Sequence, residues 1–322
     1  MKTKILSQDD QLFPLKKNVS IASIGNYQIG GFAKYLSEPK NLKEAQRAVQ
    51  WARKSKINIL VWGSGTNILP RDEGFDGLII HPHLLELKVG KSKVIVGSGV
   101  LVSDLLKFTI RKKLSGLEWA GGLPGTIGGA IRGNAGCFGG EIKDSIQSVT
   151  SLNIKTGLVK TFTKEQCRFG YRQSIFKRQD NQHLILSATF KLHPGKPLEI
   201  REKIEERIAY RLNRHPMDYP NIGSMFKNVP WKKIPSKFKS QFKPRIKKDP
   251  FPVIPTAILL SECQLRGKTI GGAKISEKHP NFIINFKKAK AREVRELLRI
   301  MKTKVYQKFG IQLELEVIIL EK

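Results

Sequence analysis

Apolar side chains recur along this chain in two different periods. Leu42, Ala45, Val49 and Ala52 are spaced by three or four residues, which puts them on one face of a helix over 41–54. Asn41 with Glu44 three residues later predicts a capping box at its start, with Asn in place of Ser or Thr. INILVW (57–62) is a continuous apolar run that leads straight into Gly63 and predicts a buried strand; GLII (77–80) and KVIVG (93–97) predict two more. Ser103 is placed to cap a helix through Lys112 whose apolar side is Leu105, Leu106 and Phe108. Strands resume around 147–154, 157–162 and 184–191. Beyond HPGKP (193–197), Ile200, Ile204, Ile208 and Leu212 recur every four residues on a helix. A long helix is expected over roughly 290–308, with Val294, Leu298, Met301 and Val305 on one face. In QLELEVIIL (312–320), Leu313, Leu315, Val317 and Ile319 alternate with Glu314 and Glu316, the period of a strand.

The plan is α+β, without internal repeats. HPGKP marks a boundary between a glycine-rich N-terminal domain and a smaller C-terminal one, giving domains at 1–195 and 196–322. The Pro-punctuated stretch 229–255 has little periodicity and reads as a loop or insertion.

Composition narrows the class. The chain has 322 residues, of which 40% are hydrophobic. That suits two domains with real cores and excludes a disordered chain. Cys137, Cys167 and Cys263 form neither a disulfide framework nor a zinc pattern, which fits a reducing compartment. No apolar run reaches the ~18 residues of a membrane span, and MKTKILSQDDQLFPLKK at the start has no signal-peptide core. A cytoplasmic globular protein without a membrane partner is expected. The net charge of +31 admits two readings, an anionic macromolecular partner or a Lys-rich style spread over solvated faces. Most lysines are dispersed, but 231–250 holds eight basic residues against Asp249 alone. No nucleic-acid-binding signature accompanies the charge, and none would explain the glycines, so no nucleic-acid partner is expected.

Those glycines carry the candidate chemistry. GSGTN (63–67) follows a strand directly, and such a turn presents backbone N–H groups that can bind a diphosphate. It is neither a Walker A loop nor a complete Rossmann fingerprint, and alone it is also an ordinary turn. GGLPGTIGGAIRGNAGCFGG (121–140) holds nine of the chain's 28 glycines. Two such segments in one domain suggest a long anionic ligand lying along backbone. Pro124 and Gly125 would fix a turn, Thr126 could offer a hydroxyl, Gly128, Gly129 and Gly133 would keep side chains away, and Asn134 is a further polar candidate. Six histidines make no metal-spaced helical pair, so no metal site is expected. Arg172 in GYRQSIFK (170–177) and Ser224 in PNIGSMFKNVP (220–230) sit beside glycine turns, and no nucleophile elbow is present.

Together the segments resemble the UDP-N-acetylenolpyruvoylglucosamine reductase family of flavin enzymes. The resemblance rests on IGGFAKYLSEPKNLKE (29–44), WGSGTNILPRDEGFDGLII (62–80) and GLEWAGGLPGTIGGAIRGNAGCFGGEIKD (116–144). GYRQSIFK, YPNIGSMFKN (219–228), GGAKISEKHPNFIIN (271–285) and FGIQLELEV (309–317) complete it, in one order over nearly the whole chain. It implies an FAD-binding region of the vanillyl-alcohol-oxidase (PCMH) type, in two subdomains split near 81, followed by a substrate domain. It implies non-covalent FAD, NADPH as hydride donor, and reduction of the enolpyruvyl double bond to give UDP-N-acetylmuramate for peptidoglycan precursor synthesis. Gly63, Ser64, Gly65, Thr66 and Asn67, with Gly122, Pro124, Gly125, Thr126, Gly128, Gly129 and Asn134, match its cofactor loops. Arg172 matches the arginine at the substrate carboxylate, Ser224 the proton donor to C2, and Glu316 the C-terminal glutamate beside the enolic intermediate. Lys227 and Asn228 match substrate-binding positions, and Tyr219 and His279 fall in stretches flanking the substrate. The 52-residue spacing from Arg172 to Ser224 leaves no room for a tyrosine-bearing loop, so the shorter subtype is implied. The sequence departs from the family pattern after Glu316, around Ala257–Ser261, and in the basic insertion 229–255.

Overall fold

The computed structural model describes residues 13–90, 93–179, 182–248 and 251–321. Residues 1–12, on which the reading of the N-terminus largely rests, lie outside them. The chain forms two compact units: one takes the residues up to Val19, Ala33–Ser64 and Phe75–Ile208, the other Ser20–Phe32, Gly65–Gly74 and everything from Ala209 onward. The divide between these units falls within the helix that follows HPGKP, and two short N-terminal segments join the C-terminal unit.

The first unit has two sheets. β1 (Leu15–Ser20), β2 (Phe32–Ser37), β3 (Ile59–Val61) and β4 (Phe75–Ile80) form one, in the order β1-β2-β4-β3. Ser37, Ile80 and Val61 share a rung of its parallel part, so three strands end together. Helix α1 (Leu42–Lys54) joins β2 to β3, and Asn41 caps it by accepting from Glu44 N–H at 2.9 Å. Its Ala45, Ala48, Val49 and Ala52 pack with Leu78 and Ile80. The second sheet is antiparallel: β5 (Leu87–Gly90), β6 (Lys93–Gly97), β7 (Ile146–Asn153), β8 (Val159–Thr163) and β9 (His183–Lys191), ordered β8-β7-β9-β6-β5. Against it pack α2 (Val102–Arg111), α3 (Ile127–Gly133) and the start of α4 (Pro197–Arg214), through Leu105, Leu106, Ile127, Ile131, Ile200 and Ile204. These two cores make the first unit two-part.

Helix α2 starts one residue before the expected cap. Val102 N–H donates to Gly125 O at 3.0 Å, and Leu101 is the N-cap, so Ser103 lies inside the helix. A tertiary hydrogen bond sets that start. The glycine-rich run also contains α3, which no apolar periodicity announced; Thr126 caps one end and Asn134, at φ 43°, the other.

In the second unit, β10 (Val229–Pro230) pairs with β11 (Val253–Ile254), and between them lies α5 (Ser236–Phe242). The stretch 229–255 is thus a folded excursion rather than a loop. Ile234 and Phe242, 2% and 0% exposed, anchor it in the core. Burying two such side chains is worth roughly 1.5–3 kcal/mol each. Helix α6 (Thr256–Glu262) follows, then the small sheet β12 (Thr269–Ile270), β13 (Ala273–Ile275), β14 (Ile283–Asn285) and the long helix α7 (Ala291–Phe309). The expected face of α7, Val294, Leu298, Met301 and Val305, is buried throughout. The 312–320 segment keeps its alternation, with Leu313 and Val317 buried, but divides its pairing. Leu315 bridges Phe226, and Ile318–Ile319 pairs in parallel with Ile68–Leu69.

Candidate functional site

In the first unit the two glycine segments meet. A Cβ added to Gly63 would lie 2.8 Å from Thr126 Oγ1, so only glycine allows this approach. Thr126 Oγ1 accepts from Gly129 N–H at 3.4 Å, and Gly128 N–H donates to Ser98 O at 2.9 Å. Gly122 and Gly125 hold φ of 68° and 112°, the left-handed region that favours glycine in the turn containing Pro124. A Cβ on Gly133 would meet nothing within 4 Å, and one on Gly129 only Thr126 Oγ1 at 3.6 Å. Nearby, the Ser98 hydroxyl and the Trp119 indole N–H are buried without a hydrogen-bond partner among the described residues. Open space along glycine backbone, with buried polar atoms awaiting partners, fits a long polar cofactor.

The turn 63–67 runs from one unit into the other. Gly63 and Ser64 belong to the first, while Gly65, Thr66 and Asn67 belong to the second. There the Asn67 amide donates to Glu316 O at 3.2 Å, and Ile318 N–H to Asn67 O at 2.9 Å. Asn134, expected at the cofactor, is fully buried. Its amide donates to Glu141 Oε2 and Gly170 O at 3.1 and 2.9 Å and accepts from Lys143 N–H at 3.1 Å. Those bonds use both its amide donors and one of the two acceptor positions on its carbonyl, so Asn134 ties the neighbouring loops together. One of those loops carries Arg172, whose guanidinium donates to Gly136 O at 2.8 Å and whose own carbonyl accepts from Lys177 Nζ at 3.1 Å.

In the second unit the fold brings Ser224 and Glu316 onto adjoining segments. Glu316 N–H donates to Met225 O at 2.9 Å, and Lys227 N–H to Glu314 O at 2.9 Å, on either side of the Phe226–Leu315 bridge. Both side chains are half-buried. Lys227 Nζ lies 3.4 Å and Lys233 Nζ 2.6 Å from the Glu314 carboxylate, and the Lys233 hydrogen bond holds that carboxyl below the usual carboxylate range. Asn228 accepts from Thr256 N–H at 3.3 Å, at the start of α6. Tyr219 lines a cavity of about 620 Å³ with Asn285, Phe286, Lys288, Lys290 and Arg292. His279 lies elsewhere in this unit, its ring 5.2 Å from His215 and 4.8 Å from Phe282. Its Nδ1 is buried without a hydrogen-bond partner among the described residues, and burial pushes its imidazole down to about 4.

A family model for the UDP-N-acetylenolpyruvoylglucosamine reductase C-terminal domain matches residues 215–320, and one for an FAD binding domain matches 33–163. UDP-N-acetylenolpyruvoylglucosamine reductase of Carboxydothermus hydrogenoformans is 36% identical over 310 residues, spanning 95% of this chain and 94% of that protein. This chain belongs to the UDP-N-acetylenolpyruvoylglucosamine reductase family. The reductase of Prochlorococcus marinus (strain NATL2A) is 35% identical over 306 residues, spanning 94% of this chain and 97% of that one. The crystal structure of the reductase (MurB) from Thermus caldophilus superposes with a TM-score of 0.75 at 27% identity, covering 96% of this chain and all of that one.

In this member of the reductase family, two asparagines absent from the sequence reading hold the Ser224 segment. Asn221 accepts from Gly223 N–H at 3.0 Å and donates to Pro216 O and Tyr219 O at 3.2 and 2.9 Å. Asn281 grips the other side: its amide donates to Phe226 O at 2.8 Å and accepts from Phe226 N–H at 3.1 Å, and its carbonyl accepts from Met225 N–H. An Asn two residues before a Gly–Ser pair was a visible turn signal for Asn221. Nothing local marked Asn281, which lies 55 residues from Phe226.

Proposed function

We propose that the protein reduces UDP-N-acetylenolpyruvoylglucosamine to UDP-N-acetylmuramate, with NADPH as reductant and FAD as bound cofactor, as a cytoplasmic step of peptidoglycan precursor synthesis. The observation that carries this reading is membership of the reductase family over nearly the full chain. Bound FAD would supply the redox chemistry, a hydride relay from NADPH to C3 of the enolpyruvyl group. The glycine segments 63–67 and 121–129 would hold its diphosphate through backbone N–H groups, with Thr126 and Ser98 supplying hydroxyls.

The chain's own residues then manage charge and a proton. Negative charge develops at C2 and on the adjoining carboxylate of the substrate. Arg172, permanently cationic, binds that carboxylate and stabilises the charge where it forms. Ser224 Oγ donates the proton that C2 needs. Glu316 orients the enolic group, and its backbone tie to Met225 fixes it relative to the serine. Lys227 binds the substrate's anionic part and Tyr219 borders it, while His279 packs away from them against His215 and Phe282. Asn228, engaged with Thr256, holds the start of α6 beside Lys227. Helices long and apolar enough to cross a membrane do not occur among the described residues, and no step requires one.

Anaerobic spectroscopy of the purified protein tests the reading. NADPH should bleach the flavin band, and the enolpyruvyl substrate should restore it with formation of UDP-N-acetylmuramate. A colourless protein, or reduced flavin that the substrate leaves reduced, overturns it.

A further inference from the structure

Away from these residues, three metal-ligating side chains converge in the first unit. Glu38 follows the end of β2, and His81 and His83 follow the end of β4. The parallel register carries on past both strands: His81 N–H donates to Ser37 O and His83 N–H to Pro39 O, each at 2.8 Å. In extended chain, positions two apart face the same way, so both imidazoles turn toward the glutamate. Glycine at 99 permits this path, because a Cβ there would lie 2.4 Å from Pro82 O.

The candidate ligand atoms cluster closely. His83 Nε2 is 3.5 Å and His81 Nδ1 3.9 Å from Glu38 Oε1, and one ligand atom from each residue lies within 4.8 Å of the others. A tetrahedral ion with bonds of about 2.0–2.2 Å needs ligand atoms about 3.3–3.6 Å apart. The His83–Glu38 pair already has this spacing, and side-chain rotation would have to close the rest on binding. Two further observations point to a ligand. His81 Nδ1 is buried without a hydrogen-bond partner among the described residues. The other carboxylate oxygen, Glu38 Oε2, is held by Lys16 Nζ at 2.6 Å, which orients Oε1 toward the imidazoles as an outer partner orients a metal ligand. The side chains of Glu38 and His81 are 19% and 18% exposed and that of His83 is 39% exposed, so one side is left for water or an exchangeable ligand.

We propose that Glu38, His81 and His83 form a site for a borderline divalent transition-metal ion, Zn²⁺ above all, with an open fourth position. Two imidazoles and one carboxylate suit Zn²⁺, Co²⁺, Ni²⁺ or Cu²⁺ and not Mg²⁺ or Ca²⁺, which prefer oxygen alone. The ion would clamp the ends of β2 and β4, at the end of the sheet where β3 exits toward the Gly63 turn. Nothing in the proposed reduction uses it.

The test uses the flavin-loaded protein, stripped with chelator and then dialysed against micromolar Zn²⁺, with metal counted by atomic emission. Wild type should retain a single Zn²⁺ per chain, and excess Mg²⁺ should not displace it. His83→Gln, at a half-exposed position, should weaken binding at least about tenfold, as even outer-shell losses do, with an unchanged far-UV circular dichroism spectrum. Glu38→Gln should do the same. Oxidised flavin is silent in electron paramagnetic resonance, so Cu²⁺ can be read directly: wild type should show coupling to two imidazole nitrogens and His83→Gln to one. Absence of retained Zn²⁺ in the wild type overturns the proposal. So do equal Zn²⁺ affinities in wild type and His83→Gln, or a Cu²⁺ spectrum unchanged by the substitution.

Discussion

His279 ties the stability of this protein to pH, and His279→Gln should remove that tie. Burial is the main reason its imidazole falls from 6.5 to about 4, with Arg266 pushing the same way and a backbone hydrogen bond opposing them. Its neighbour His215 is also pushed to about 4, by burial first and then by the charges of His279, Arg211 and Lys278. A histidine depressed in the folded state binds its proton more readily when unfolded. Its contribution is therefore complete above about pH 6.5 and disappears as the pH falls toward 4. For His279 alone, linkage between 6.5 and about 4 gives a loss of roughly 2 kcal/mol on going from about pH 7.5 to about pH 5. Urea unfolding followed by far-UV circular dichroism at those two pH values measures it. Carboxylates also begin to titrate near pH 5, but they are common to both proteins, so the difference between wild type and variant reports His279 together with its coupling to His215. His279→Gln should lose on the order of 2 kcal/mol less than wild type over the interval. Equal losses would refute the argument, because they would mean that the imidazole accepts its proton inside the folded unit at no cost.

Ser224→Ala should keep FAD and its reduction by NADPH while slowing reoxidation by substrate about 10²–10⁴-fold; stopped-flow reoxidation at the wild-type rate would remove Ser224 as proton donor. Gly129→Val should purify folded but without flavin, since a Cβ there meets little protein and projects into the proposed cofactor space; full FAD occupancy would move the cofactor elsewhere. Gly128→Val is the poorer test, because its Cβ would sit 3.0 Å from Ser98 Cβ and disturb the packing itself. Lys237, Lys239, Lys243 and Lys247 are all exposed on the folded excursion. Neutralising the four should raise KM for the anionic substrates with kcat little changed, and should flatten the salt dependence expected of steering screened over ~10 Å at 0.1 M salt; identical KM values and salt slopes in steady-state assays would retire that idea.

What the sequence determined by itself was whatever repeats over a few residues. The faces of α1 and α7, the Asn41 cap and the strand β6 follow from spacings of two or of three to four, because side-chain direction is set locally by backbone geometry. The glycine segments were legible for a related reason: a residue without a Cβ marks close approach wherever it stands, and Gly63 does meet Thr126. Tertiary structure decided the rest. Helix α3 has no apolar period, and it exists because Thr126 and Asn134 cap it while Ile127 and Ile131 find the sheet. The excursion 229–255 looked like a loop because Ile234 and Phe242 follow no period; what orders them is a core supplied largely by α7, far along the chain. Asn134 read as a ligand contact, and that its side chain ties Glu141, Lys143 and Gly170 together shows only in the fold. Adjacency across a ladder depends on register, which pattern alone does not specify. That is why the pairing of Glu316 with Met225, and the meeting of Glu38 with His81 and His83 across two parallel strands, became visible only in the folded chain.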